Sequence, residues 1–338
     1  MIPAWLEREG PMGGIALSSR VRLARNLANI PFPDNTSNRG YQWIDHISGA
    51  LTRAGGGSVF FMEKPASAAE RQSLVEQYAI SHGFASLERP AALIRTADGG
   101  ISVMVGEEDH IRLQAFASGL DLKSCLDEAM RVDDLLDGQL DYAFSETLGF
   151  LTACPTNLGT GMRASVMLHL HALTKTGALR GVIQSAAQMG FTVRGLYGEG
   201  SKALGGLYQL SNQSGFGIGE NELIERMTEA TKQIIASESA SRELMRRQYG
   251  PRVSDMIHRA YGLLSHARLI GLDEAMEQLG VIRAGVSMGE ITGVSFTALN
   301  RLLVDIQSAT LMLYHGASKN DIDAKRAGVI RAALGPNK

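Results

Sequence analysis

The sequence predicts an α+β unit over residues 15–240 followed by an all-helical unit over 241–338, with an irregular arm at 1–14. Three observations carry this reading. Short apolar runs separated by glycine-containing turns recur up to about residue 210 and read as strands. Helical patterns lie between them, but clean strand–helix–strand units are few, which favours α+β over a doubly wound parallel sheet. After Gly219 the apolar spacing becomes that of amphipathic helices and stays so.

Taken in order, Ile15–Leu23 alternates and places Arg20 and Arg22 on one face of a strand. Trp43, Ile44, Ile47, Ala50 and Leu51 follow helical spacing, and Gly55-Gly56-Gly57 ends that helix. Ser67-Ala68-Ala69-Glu70 is a capping box that opens a helix through about Ala79. Ala91–Thr96 and Ile101–Val105, joined by Asp98-Gly99-Gly100, form a hairpin, and Ile111–Phe116 is the next strand. Leu120–Leu136 is helical, Val166–Leu170 a strand, Gly177–Met189 a helix, and Phe191–Arg194 and Gly206–Leu210 strands. Beyond Asn221, helical stripes run through Ile224–Ile234, Met256–Leu264 and Phe296–Tyr314. The charge-rich stretch Glu238–Arg247 places the unit boundary near 240.

The chain has 338 residues, 44% hydrophobic and 20% charged, an ordinary balance for a folded chain with room for two domains. A net charge of −2 gives no general attraction to nucleic acid or to a membrane surface. Two cysteines, Cys125 and Cys154, exclude a disulfide framework and fit a reducing cytosol. The N-terminal residues carry no apolar signal-peptide core, and no apolar run approaches the roughly 20 residues that span a bilayer. A soluble cytoplasmic protein is expected.

The chemistry concentrates in a few places. Arg20, Arg22, Arg112, Arg163 and Arg194 would supply guanidinium forks for phosphate oxygens. Glu107-Glu108-Asp109 clusters three acids at a strand end, and Glu199 lies in the glycine-rich loop Arg194–Ser201. Cys154 sits in the turn Cys154-Pro155-Thr156-Asn157-Leu158-Gly159-Thr160. A guanidinium is a poor nucleophile because it stays protonated, with a pKa above about 12. Phosphorylating one requires carboxylates that hold its plane and accept a proton. Spacing alone leaves the other readings open: unrelated surface arginines, a solvated acidic turn and a small buried thiol. No Walker-type loop and no dinucleotide fingerprint is present. His169-Leu170-His171 reads as the end of a strand, and no zinc site is expected there.

Together these segments resemble the guanidino (phosphagen) kinases in order and spacing. Ser18-Ser19-Arg20-Val21-Arg22 is similar to that family's first nucleotide-binding segment. Glu107–Arg112 resembles its NEEDHLR segment with Gly106 in place of Asn, and CPTNLGTGMRASV its cysteine signature. The resemblance implies a large, saddle-shaped antiparallel sheet flanked by helices, with ATP and Mg²⁺ on the sheet and no direct protein ligand to the metal. It implies Glu108 and Glu199 as catalytic carboxylates and Cys154 as the reactive cysteine. It further implies ATP contacts from Arg112, Arg163, Ala164, Ser165, Val166, Met167, Arg194, Gly195, Leu196, Tyr197 and Gly198. Tyr78 stands where relatives place a nucleotide-contacting histidine.

The SSRVR strand comes almost at once, so the helical N-terminal domain that encloses small guanidines is expected to be missing, and a helical C-terminal unit is present instead. Both features resemble the bacterial protein-arginine kinase (McsB-type) branch. The implied activity is phosphorylation of arginine side chains in proteins, marking them for Clp-type degradation within stress control. Implied partners are arginine-bearing protein substrates, a zinc-binding activator, a Clp ATPase, a heat-shock repressor and a second copy in a homodimer. A kinase of free arginine and a non-catalytic phosphoarginine-binding adaptor are the competing readings. One departure stands out. The branch's RDxxRA phosphoarginine motif is Ile322-Asp323-Ala324-Lys325-Arg326-Ala327 here, leaving Asp323 and Arg326 of a degenerate pocket.

Overall fold

The structure is a computed structural model that describes residues 2–33, 41–54, 60–63, 67–195 and 203–335. Strands β1 (Ala16–Arg25), β2 (Phe60–Glu63), β3 (Ala92–Thr96), β4 (Ile101–Val105), β5 (Ile111–Ser118), β8 (Met162–His169), β9 (Phe191–Gly195) and β10 (Leu207–Asn212) build one antiparallel sheet in the order β2-β3-β4-β5-β1-β8-β10-β9. A small hairpin, β6 (Phe144–Ser145) and β7 (Gly149–Phe150), lies outside it. The first strand is thus central: β1 pairs with β5 on one side and with β8 on the other.

Helices α1 (Gln42–Ala54), α2 (Ala68–Glu76), α3 (His82–Ala85), α4 (Leu122–Asp137), α5 (His171–Thr176) and α6 (Leu179–Gln188) accompany the sheet. Five more close the chain: α7 (Glu220–His266), α8 (Leu272–Ser287), α9 (Phe296–Asp305), α10 (Ser308–Tyr314) and α11 (Ile322–Leu334). Period-two alternation sorts the central strands. Val21, Leu23, Leu113, Ala164 and Val166 face a core completed by Leu126, Ala129 and Val132 of α4 and by Met227 and Ile234 of α7. A second core joins Leu17, Met167 and Leu207 to Ile257 of α7, Met276 and Leu279 of α8, Leu299 of α9 and Ile330 of α11. The C-terminal helices are therefore packed onto one end of the sheet.

Several expected elements end elsewhere, each for a local reason. The capping box forms as the sequence indicates: Glu70 N donates to Ser67 Oγ at 3.1 Å and Ser67 N to Glu70 Oε2 at 2.8 Å. Its helix stops at Glu76, and Tyr78, at φ +62°, lies beyond it in a conformation no helix continues. Strand β8 begins at Met162 instead of Val166, which takes Arg163 into the sheet. It ends at His169, His171 opens α5, and the two imidazoles stack at 5.8 Å. The helix expected over Gly177–Met189 is α6, starting at Leu179, and Gly177, at φ +77°, ends α5, which the sequence reading did not foresee.

The two helical stripes expected within 224–264 lie on one 47-residue helix, α7, which runs unbroken through position 240. It kinks at Tyr249 (φ −131°), two residues before Pro251, whose ring cannot sit in a regular helix interior. The stripe expected over Phe296–Tyr314 is two helices, because Gln307 is extended (φ −71°, ψ 151°). Among the described residues no helix is long and apolar enough to cross a membrane.

Candidate active site

The sheet face opposite the α4 core gathers the arginines. Strand register sets Arg22 directly against Arg163 and Arg20 against Ser165. On the other side Arg22 meets Gln114, and Arg112 sits across from Ala24. Arg194 pairs with Gln209 at the far edge. Arg20 donates to Ser165 Oγ (3.3 Å) and Gln209 Oε1 (3.2 Å), and Arg163 donates to Ser211 Oγ (3.2 Å). These partners are neutral, and among the described residues Arg20, Arg22 and Arg163 have no ion-pair partner. Arg22 Nε and Arg163 Nε are buried without any hydrogen bond.

The electrostatic result is a concentration of uncompensated positive charge. Burial, with Arg112 and Arg163 nearby, lowers the Arg20 pKa to about 10. Burial, followed by Arg20, Arg112 and Arg163, pushes Arg22 well below the ordinary arginine value. Burial and then Arg194 and Arg112 lower Arg163. Arg112 differs: burial acts downward on it but is outweighed by Glu107, Glu108 and Asp109, which hold it above its usual value. Like charges held together in a folded protein are stable only if an anion joins them or water covers them. Such a face suits a polyphosphate.

The acidic segment turns toward the same place. Gly106 bends the chain at φ +88°, in the left-handed region that Gly, and after it Asn, tolerates best. Glu107 pairs with Arg112 and is also hydrogen-bonded by Ser81. Glu108 is only partly exposed, its side chain at 44%, with Oε1 3.8 Å from Arg112 Nη1. Its carboxyl pKa is raised, by burial first and then by Asp109 and Glu107, against the pull of Arg112.

Cys154, half-buried, precedes a short 3-10 turn at Pro155–Asn157, and its Sγ lies 3.0 Å from Thr156 Oγ1. Arg22, Glu108, Arg112, Cys154, Asn157 and Arg163 line one cleft. Sequence reasoning missed what joins the cysteine turn to the acidic segment. Asp109 Oδ1 accepts from Ala153 N (2.7 Å), next to the cysteine, and from Asn26 Nδ2 (2.6 Å), just past β1. Asn26 also accepts from His110 N (2.9 Å) and donates to Leu151 O (3.0 Å). Asn26 and Asp109 thereby tie the acidic segment to the cysteine turn. Arg25 does similar work below them, bonding Asp133 and the carbonyl of Thr160. The one available signal was adjacency: Arg25-Asn26 follows the strand and Asp109 follows Glu108.

Other predicted residues are placed differently. Ser19, Val21, Ala164 and Val166 belong to the sheet but turn their side chains to the opposite face. There Ser19 Oγ donates to Gly119 O (2.8 Å) and accepts from Asp121 N (2.9 Å). Ser18 shares the arginine register, while Met167 packs into the second core. Tyr78 lies beside the arginine face, its ring 5.9 Å from Trp5. Gly195 ends β9 opposite Tyr208. Leu196, Tyr197, Gly198 and Glu199 fall outside the described residues. Arg326 is buried and committed to backbone, donating to Ile306 O and Ile270 O at 2.9 Å each, and it also pairs with Asp323. Asp323 and Lys325 are exposed.

The family described as ATP:guanido phosphotransferase, C-terminal catalytic domain, matches residues 44–241, and the Protein-arginine kinase McsB C-terminal domain matches 251–338. A protein-arginine kinase of Syntrophomonas wolfei is 42% identical over 98% of this chain and 95% of its own length. One of Halalkalibacterium halodurans is 38% identical over 98% and 95%. Among solved structures, the duplicated taurocyamine kinase of Schistosoma mansoni shares the fold with a TM-score of 0.61 at 23% identity. It aligns over 73% of this chain, which spans 37% of that longer one. A lombricine kinase aligns with a TM-score of 0.58 at 21% identity over 69% of this chain and 68% of its own. With both halves matched and relatives near 40% identity along almost its whole length, the chain belongs to the ATP:guanido phosphotransferases, in their protein-arginine kinase branch.

Proposed function

We propose that the chain transfers the γ-phosphoryl group of ATP to the guanidinium of arginine side chains in proteins. The observation that carries this reading is the single cleft in which Glu108 and Cys154 face Arg22, Arg112 and Arg163. The arginines neutralise and align the phosphates. Glu108, its affinity for a proton increased by its surroundings, orients the guanidinium and takes its proton as the N–P bond forms and the bond from Pγ to the ADP oxygen breaks. Glu199 is proposed as the second carboxylate, and Cys154 as a neighbour that tunes the guanidinium's charge. Arg22 Nε and Arg163 Nε, unpartnered among the described residues, fit phosphate oxygens. Mg²⁺ is proposed to enter on ATP, where it neutralises phosphate charge.

The name shared by the curated relatives supports a protein side chain as acceptor. The wider proposal takes residues 15–240 as the catalytic unit and 241–338 as a unit for dimerisation. It includes a cytoplasmic setting, a zinc-binding activator, a heat-shock repressor among the substrates, and a Clp ATPase that receives marked proteins. The test is incubation with ATP and either an arginine-rich unfolded protein or free arginine, read by mass spectrometry that preserves P–N bonds. Phosphoarginine in the protein is expected, and Glu108→Gln should lower its rate by about 10² or more. Turnover of free arginine alone would replace this reading with a small-guanidine kinase.

A further inference from the structure

Beside the apolar packing of Val304 of α9 with Trp5, Tyr78 and Phe116, one carboxylate ties the C-terminal helices to the segment next to the arginine face. Glu76, the last residue of α2, accepts from three donors at the start of α10. Ala309 N donates to Oε1 at 2.9 Å, and Thr310 N and Thr310 Oγ1 donate to Oε2 at 2.8 Å each. The extended Gln307 that makes this helix start also frees the Ile306 carbonyl, which Arg326 of α11 holds at 2.9 Å. On the other side of Glu76 the chain turns sharply. Tyr78 takes φ +62°, and the carbonyl of Ala79 is fixed to the sheet by Ser102 Oγ (2.6 Å) and Gln114 Nε2 (3.0 Å). Gln114 is the cross-strand neighbour of Arg22. Tyr78 itself packs against Trp5, which stacks on Phe116 at 5.2 Å, and the Arg20 guanidinium carbon lies 5.9 Å from the Phe116 ring.

A tyrosine at positive φ is strained, and the structure around it must over-determine that conformation. On its N-terminal side the bonds from Glu76 to α10 act together with the local turn bond from Tyr78 N to Val75 O (2.9 Å). We propose that Glu76 is a positioning residue for the nucleotide site. By docking α2 onto α10 it holds Tyr78 beside Arg20, so that the packing of the C-terminal helices sets the affinity for ATP. This rests on the reading of the arginine face as the nucleotide site.

The experiment titrates wild type, Glu76→Gln, Tyr78→Ala and the double variant with ATP, and measures KM and kcat for phosphoarginine formation. Glu76→Gln keeps the size but replaces two acceptor oxygens by one. It is expected to raise Kd and KM for ATP by about fivefold while kcat changes less than about twofold. In the Tyr78→Ala background it should add nothing, because its effect runs through Tyr78. Thr310→Val, nearly isosteric, removes only the hydroxyl donor and should shift ATP affinity in the same direction by a smaller factor. It serves if Glu76→Gln does not fold. Unchanged ATP affinity in Glu76→Gln, or in Thr310→Val where that serves, overturns the proposal, as do effects of Glu76→Gln and Tyr78→Ala that simply add. Failure of the wild-type chain to bind ATP would instead overturn the assignment of the arginine face itself.

Discussion

Arg22 and Arg25 lie three residues apart on β1, so the alternation of the strand sends them to opposite faces of the sheet. On the α4 side Arg25 is completely buried and completely used. Its Nε and Nη2 donate to Asp133 Oδ2 at 3.0 and 2.6 Å, and Nη1 donates to Ala24 O and Thr160 O at 3.0 Å each. The guanidinium carbon stands 3.5 Å from the Phe150 ring centroid. On the other face Arg22 Nε has no partner among the described residues, and the charges acting most strongly on it are Arg20, Arg112 and Arg163. Arg242 and Arg326 repeat the first pattern elsewhere, the former bound to Glu238, His169 and Ser287 and the latter to two carbonyls. An arginine saturated by its own chain holds the fold together. An arginine surrounded by its own kind is reserved for an anion from outside.

The comparison fails if the two kinds of arginine respond alike to removal. The largest effect should come from Arg25→Ala, which leaves Asp133 buried without its cation and frees the loop at Thr160. Breaking a buried pair on one side typically costs about 3–5 kcal/mol of folding stability, readable by chemical denaturation. A loss below about 1 kcal/mol would show that Arg25 is not a structural arginine. Arg163→Ala should behave in the opposite way. It removes one of several mutually repelling charges, so stability should hold or rise slightly, while kcat/KM for ATP-dependent phosphorylation falls by about 10²–10³. A stability loss matching that of Arg25→Ala would erase the distinction.

Which arginine was of which kind was only partly legible in the sequence. Alternation paired Arg20 with Arg22 correctly, since that is a property of three consecutive residues. The meeting of Arg22 with Arg163 depends on the register between β1 and β8, which no local pattern records. The same holds for the link from Asn26 to Asp109, 83 positions apart. Motif membership even pulled the wrong way in part. Ser19, Val21, Ala164 and Val166 belong to the recognised segments, yet the period of two turns their side chains into the core, as strict use of the alternation would have required. The break between α9 and α10 has no glycine or proline to announce it. The extended Gln307 there is accompanied by long-range bonds from Glu76 and Arg326.

The smallest predicted effect asks whether like charges are as unwelcome in the interior as they are tolerated at the site. His169 and His171 stack beside Arg242, which donates toward His169 Nδ1 at 3.0 Å. Glu238 is in the same cluster but is occupied by Arg242 Nε and by the amides of Ala172 and Leu173. Burial, with Lys175 and Arg242 adding to it, lowers the His171 pKa from 6.5 to about 4. His169 is pushed well below its ordinary value by burial and then by Arg242, His171 and Arg283. Both rings are therefore neutral in the folded chain at pH 7. A histidine with a depressed folded pKa contributes stability that is fully present above about pH 6.5, where neither state is protonated. Below that the unfolded chain binds the proton first, and the contribution is lost down to about pH 4. For His171 the span corresponds to about 3 kcal/mol, at 1.36 kcal/mol per unit. His171→Gln should flatten the fall in stability between pH 7 and pH 4 by about that amount, measured by denaturant titration at each pH. An unchanged pH profile would mean that His171 takes up its proton as readily folded as unfolded. The interior around Arg242 would then accept a second cation, as the arginine face does.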